Sequence, residues 1–123
     1  MQIKQIPILY VDDEETNLFL FEVLLNQKFN IHSALSAADG FKILDDHPEI
    51  KLIITDWKMP QMDGLTFARQ VKERYSGVKL MMLSAFVKSD EIDSAIQDGI
   101  LEAYLSKPLN KSDFIQHVNQ LVN

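Results

Sequence analysis

Five side chains in this sequence could do phosphoryl chemistry if the fold gathered them. They are the carboxylates of Asp12, Asp13 and Asp56, the hydroxyl of Ser84 and the ammonium of Lys107. An aspartate carboxylate can attack phosphorus and form an acyl phosphate. That reaction needs an in-line nucleophile, a cation on the incoming oxygens and fixed donors for the rest. Asp56 could attack, Asp12 and Asp13 could hold Mg²⁺, and Ser84 and Lys107 could donate. Hard oxygen ligands suit Mg²⁺, which is often completed by phosphate oxygens. Each residue alone has an ordinary reading. The run Asp12 to Glu15 complements a helix dipole. Asp56 suits a turn or a cap. Ser84 suits a cap or a loop, and most lysines are solvated. Only a shared location gives them chemistry in common.

The elements that would position them alternate. Ile6 to Val11, Leu52 to Thr55 and Lys79 to Leu83 are short continuous apolar runs, the pattern of strands buried on both faces. Ile31 to Leu35 and Ala103 to Leu105 are weaker strand candidates. Between them lie helical patterns. Glu15 to Gln27 is the first. Ser36 caps the second, with Asp39 three residues on and Ile43 and Leu44 beyond. Asp63-Gly64 opens the third, which runs to about Arg74. Ser89 caps the fourth, with Asp90 and Glu91 in its first turn and Gly99 past its end. Asn110 opens the last, with Phe114, Ile115, Val118, Leu121 and Val122 on its apolar side. Five βα units imply a parallel sheet covered on both faces, with right-handed crossovers. The flavodoxin-like (βα)5 order 2-1-3-4-5 is the expected topology, a doubly wound sandwich spanning residues 1–123 as one domain. Ligands then bind beyond the carboxyl ends of strands 1 and 3. All five candidate side chains follow strand ends on that rim.

The totals exclude other classes. With no cysteine among 123 residues, disulfide and thiolate-metal chemistry are impossible. A formal charge of −6 argues against direct nucleic-acid binding, which needs a basic face. No stretch approaches the about 20 apolar residues of a membrane helix, and Met1 to Gln5 lacks a signal segment. A cytoplasmic domain is expected. His32, His47 and His117 are spread along the chain and suggest no metal site.

The constellation Asp12-Asp13, Asp56, Ser84-Ala85 and Lys107-Pro108 resembles the response-regulator receiver family of two-component phosphorelays. The run from Asp56 through Trp57, Lys58, Met59, Pro60, Gln61, Met62 and Asp63 to Gly64 is similar to the chemotaxis receiver's segment after its phosphorylated aspartate. The resemblance implies that Asp56 accepts the phosphoryl group. It implies Mg²⁺ on Asp13, Asp56 and the backbone carbonyl of Lys58, with Asp12 acting through water. Ser84 and Lys107 would contact the phosphoryl group, and the Lys107-Pro108 peptide would be cis. The donor would be a histidine of a sensor kinase or of a phosphotransfer domain. Ser84 and Tyr104 would act as a switch, Tyr104 filling the space behind Ser84. The surface of helix 4, strand 5 and helix 5 would then report to an output domain or target protein. Such a domain assists its own phosphorylation without turning over an external substrate, so it is not an enzyme in that sense.

Three positions depart from the chemotaxis pattern. Ser84 stands for threonine, Lys58 for an amide and Phe86 for an acid. Lys58 and Phe86 flank the family's water path and are expected to tune the phosphoryl lifetime. On the first helix, Leu20, Phe21 and Leu24 are expected to face the sheet. Leu18, Phe19 and Val23 would then be free to dock the phosphodonor's helices.

Three rivals remain. A flavin- or nucleotide-binding module would need a phosphate cradle of backbone amides after strand 1, where Asp12 to Glu15 would repel phosphate. An aspartate-nucleophile phosphatase would need a cap. A phosphorylation-independent interaction module would not need all five chemistries.

Overall fold

A computed structural model describes residues 6–122. The segment 1–5, where no signal segment is expected, lies outside the described residues, as does the side chain of Val122. Strands β1 (Ile6–Val11), β2 (Phe29–Ala34), β3 (Leu52–Thr55), β4 (Lys79–Ser84) and β5 (Ala103–Ser106) alternate with helices. The helices are α1 (Glu15–Leu25), α2 (Ala37–Asp46), α3 (Gly64–Arg74), α4 (Asp90–Gln97) and α5 (Lys111–Val122). All strand pairs are parallel, in the order β2-β1-β3-β4-β5. The expected topology is therefore the one observed.

Burial follows the two-sided logic. Every residue of β3 is buried, and β4 is buried after its first residue, so neither strand alternates. One core, with Leu9, Ile53 and Met82 from the sheet, meets Leu44, Phe67 and Ile92 from α2, α3 and α4. The other, with Ile8, Ile54 and Met81, meets Phe21 and Leu25 of α1 and Phe114 and Val118 of α5. Each such side chain contributes about 1.5–3 kcal/mol on burial, so the two apolar layers fix which face each helix covers.

Helix starts follow local capping. The Ser36 hydroxyl accepts from the Asp39 amide, the Asp63 carboxylate from Thr66 and the Asn110 side chain from Asp113. Ser89 stands at the N-cap of α4 but makes no cap bond, and its buried hydroxyl has no partner among the described residues. There the backbone alone closes the first turn, Asp93 N–H donating to the Ser89 carbonyl at 3.0 Å.

Three expectations shift. β2 begins at Phe29 rather than Ile31 and ends at Ala34; Leu35 is exposed. Phe29 is buried and pairs with Ile6, so it starts the ladder two residues early. On α1 the inward stripe is Phe21 and Leu25, with Leu18 half-buried against them, while Leu20 and Leu24 are exposed. Phe21 sets this rotation: it stacks on Tyr10 at 4.2 Å and meets Phe114 edge-on at 5.6 Å. A helix pinned there turns positions 20 and 24 outward. α1 also ends at Leu25, two residues before Gln27.

Candidate functional site

Each candidate side chain sits at or just past a strand end, and backbone bonds fix most of them. The Asp12 amide donates to the Ala34 carbonyl at 3.0 Å, and the Asp56 amide to Val11 at 2.9 Å. The Lys107 amide donates to Ser84 at 2.9 Å. The sheet's ladder thus continues one step beyond β1, β3 and β5. The Lys107-Pro108 peptide is cis, as the resemblance implies.

The carboxylates of Asp12, Asp13 and Asp56 offer oxygens within 4.8 Å of one another. Asp12 is fully buried, Asp56 is 8 % exposed and Asp13 faces solvent. Acids this close repel, and one cation compensates. The Lys107 ammonium lies 2.8 Å from Asp12 Oδ2 and 3.3 Å from Asp56 Oδ2. Burial pulls the lysine's pKa down, but the bond to Asp12 and the charges of both acids outweigh it, and the pKa is raised. Burial, then the charge of Asp12, raises the Asp56 carboxyl, against Lys107 and the Trp57 amide. That amide donates to Asp56 Oδ1 at 2.7 Å. Such opposed environments mark functional clusters more often than ordinary surfaces.

Ser84 is fully buried, and its hydroxyl accepts from the Phe86 amide at 3.2 Å. Tyr104 is half-buried, and its hydroxyl donates to the Phe86 carbonyl. The Lys58 side chain is exposed and its ammonium lies 4.1 Å over the Trp57 ring. Trp57 is buried and meets Phe86 and Tyr104 edge-on at 6.5 and 6.3 Å. Trp57 therefore joins the loop after Asp56 to both β4–α4 and β5.

Sequence reasoning gave no site role to four participants. Tyr10 donates to Asp12 Oδ2 at 2.7 Å; burial and the charge of Asp12 raise its hydroxyl's pKa, so it stays a donor. Its place two residues before Asp12 on one strand was the available signal. Asn17 and the Glu14 amide donate to Asp12 Oδ1 at 3.3 and 3.0 Å. Gly64 packs on the Asp56 backbone, its amide donating to the Trp57 carbonyl at 2.6 Å. An apolar groove of about 530 Å³ runs beside Lys107, walled by Leu20, Val23 and Leu24 of α1 and by Pro108 and Leu109. The reading of the histidines as scattered is corrected: His32 and His47 rings lie 4.4 Å apart.

Comparisons with known proteins agree with this geometry. The model of the response regulator receiver domain matches residues 8–119. The hydrogenase transcriptional regulatory protein HoxA of Cupriavidus necator is 27% identical over 99% of this chain, which covers 25% of HoxA. The response regulator protein VraR of Staphylococcus saprophyticus is 27% identical over 96% of this chain and 57% of its own length. The chain thus spans between a quarter and somewhat over half of these relatives. A response regulator receiver domain from Clostridium thermocellum superposes with a TM-score of 0.88 at 28% identity, covering 96% of this chain and 94% of that one. A receiver of an HD-domain protein from Pseudomonas fluorescens gives 0.86 at 28% identity, covering 97% and 95%. With strand order, rim acids and family model in agreement over nearly the whole length, this chain belongs to the response regulator receiver domain family of two-component signalling.

Proposed function

We propose that this chain, a single receiver domain over residues 1–123, takes a phosphoryl group from a histidine of a sensor kinase or phosphotransfer domain onto Asp56. The observation that carries the reading is the pairing of Lys107 with both Asp12 and Asp56 at a rim where three carboxylates converge. A carboxylate oxygen of Asp56 attacks phosphorus, the P–N bond breaks, and its electron pair returns to the imidazole. Lys107 supplies positive charge to the incoming oxygens. Ser84 offers a hydroxyl at the end of β4, and buried Asp12 holds Lys107 in place.

The donor set fits Mg²⁺. Three hard carboxylates meet, and the exposed Asp13 leaves room for retained waters. Asp13, Asp56 and the Lys58 carbonyl would hold the ion, with Asp12 behind water. When bound, Mg²⁺ supplies charge neutralisation on the phosphoryl oxygens.

Incubation with Mg²⁺ and acetyl phosphate tests the reading. One phosphoryl mass increment per chain is expected, absent in Asp56→Ala. An increment that persists in Asp56→Ala, or none in the parent, overturns it.

Tyr104 bridges the site to the α4-β5-α5 face, the surface for an output domain or target. Its hydroxyl anchors on Phe86, two residues after Ser84, and its ring edges Trp57, next to Asp56. A phosphoryl group that draws Ser84 acts on the loop holding Tyr104, which is the bistable element a switch requires.

Two further outcomes follow from the walls of the site. Phe86 is 55% exposed and edges Trp57, whose ring carries Lys58. These side chains screen Asp56 from attacking water. The Lys58→Asn, Phe86→Glu variant should lose its phosphoryl group about tenfold faster, about 1.4 kcal/mol in barrier; equal decay rates measured by mass would refute the screen. The apolar groove and Phe19, 66% exposed, form the donor's dock beside Lys107. Phe19→Ser should slow transfer from the cognate donor about tenfold, as loss of one interfacial aromatic does. Uptake from acetyl phosphate should be unchanged, which separates docking from chemistry.

A further inference from the structure

We propose that His32, His47 and Glu49 form a site for a divalent transition-metal ion of the Zn²⁺ class, separate from the carboxylate cluster. His32 comes from the middle of the edge strand β2, where it pairs with Leu9. His47 is the C-cap of α2, and Glu49 lies in the connection to β3. One ligand atom from each lies within 4.8 Å of the others. The two imidazoles stand 4.4 Å apart at 42°, and His47 Nδ1 is 3.2 Å from Glu49 Oε2. Ligands of a tetrahedral ion with about 2.0 Å bonds stand about 3.3 Å apart. Small side-chain rotations would bring the set to that spacing.

The second observation is an orphan. His32 Nε2 is buried and has no hydrogen-bond partner among the described residues. Leaving such an atom unpaired destabilises the fold, and an ion ligated through Nε2 would remove that cost. Burial, then the neighbouring His47, lowers the pKa of His32, which favours the neutral ring that binds metals. The side chains of His47 and Glu49 are 41% and 55% exposed, so the ion has an entry path and an open fourth position for water.

Donor chemistry separates this site from the first. Two imidazoles and one carboxylate suit Zn²⁺, with Ni²⁺ and Cu²⁺ in the same class, whereas Mg²⁺ prefers all-oxygen sites. α2 begins after the strand end that supports Asp12, and His47 caps its far end. A bound ion would tie that far end to the edge of the sheet and stabilise the fold by mass action.

Calorimetric titration of the chain with ZnCl₂ in excess Mg²⁺ tests the proposal. One Zn²⁺ per chain is expected, retained in Asp56→Asn, which excludes the carboxylate cluster as its seat. His32→Gln and His47→Gln should each weaken binding about a hundredfold and Glu49→Gln about tenfold, the scale on which even outer-sphere changes act. Nitrogen NMR of the parent gives a readout independent of any variant. The imidazole signals of His32 and His47 should move on saturation while those of His117 stay. An unchanged isotherm in His32→Gln, or unmoved His32 and His47 signals, overturns the proposal.

Discussion

Asp56→Asn should take up no phosphoryl group and yet melt at a higher temperature than the parent in Mg²⁺-free buffer at neutral pH. The loss of uptake follows from chemistry, since a neutral amide is no nucleophile toward phosphorus. The gain in stability follows from the electrostatics. The Asp56 carboxyl is held above its ordinary 3.8 by burial first and by the charge of Asp12 second. An acid whose folded pKa is raised contributes stability that is complete below the unfolded value. That contribution is lost as pH rises through the folded value. At neutral pH the ionised Asp56 therefore works against the fold. Asparagine removes the charge and keeps an oxygen for the Trp57 amide, while Lys107 keeps its shorter contact with Asp12. The gain should be about 1 kcal/mol, about 4 °C for a domain of this size. It should shrink as the parent is acidified and its own Asp56 protonates. A melting temperature below the parent's, or a difference that ignores pH, would show that Lys107 already compensates the charge in full.

The same residue separates what was legible in the sequence from what was not. Two-sided burial writes itself as unbroken apolar runs, so β1, β3 and β4 were readable, and alternation with helices implied the strand order. Given that order, strand ends alone bring Asp12, Asp56, Ser84 and Lys107 to one rim. The residues that escaped notice depend on angles and approaches that spacing does not encode. Leu20 and Leu24 look like core positions, but the stacking of Phe21 on Tyr10 rotates α1 and exposes them. Tyr10 reads as one more strand apolar until its hydroxyl is seen on Asp12. His32 and His47 are fifteen residues apart with no recognisable ligand spacing. The crossover through α2 from the edge strand brings them together. Polar residues at 30, 32 and 33 likewise blurred β2, because an edge strand need not be apolar throughout.

Gly64 is the sharpest case of a requirement hidden in the fold, and Gly64→Ala should be among the most destabilising single substitutions in the chain. A Cβ there would lie 1.8 Å from the Asp56 carbonyl oxygen, 2.9 Å from its carbon and 3.0 Å from Thr55 Oγ1. The obstacle is backbone, and that carbonyl already accepts the Thr55 hydroxyl at 2.8 Å. Nothing flexible can yield, so either α3 must lift or the Asp56 peptide must turn. Overpacking in a tight core costs about 1–3 kcal/mol, and a backbone clash belongs at or above the upper end. About 3 kcal/mol or more is expected, a fall of about 12 °C in melting temperature. Gly77 supplies the contrast. Its φ is +75° but a Cβ meets nothing within 4 Å. Gly77→Ala should therefore cost only the left-handed penalty, about 1–2 kcal/mol. Because Gly64 bears on the Asp56 main chain, its alanine variant should also slow phosphoryl uptake from acetyl phosphate at temperatures where it remains folded, while Gly77→Ala should not. A Gly64→Ala protein as stable as the parent would mean that α3 can retreat from Asp56, and that the rim is softer than its hydrogen bonds indicate.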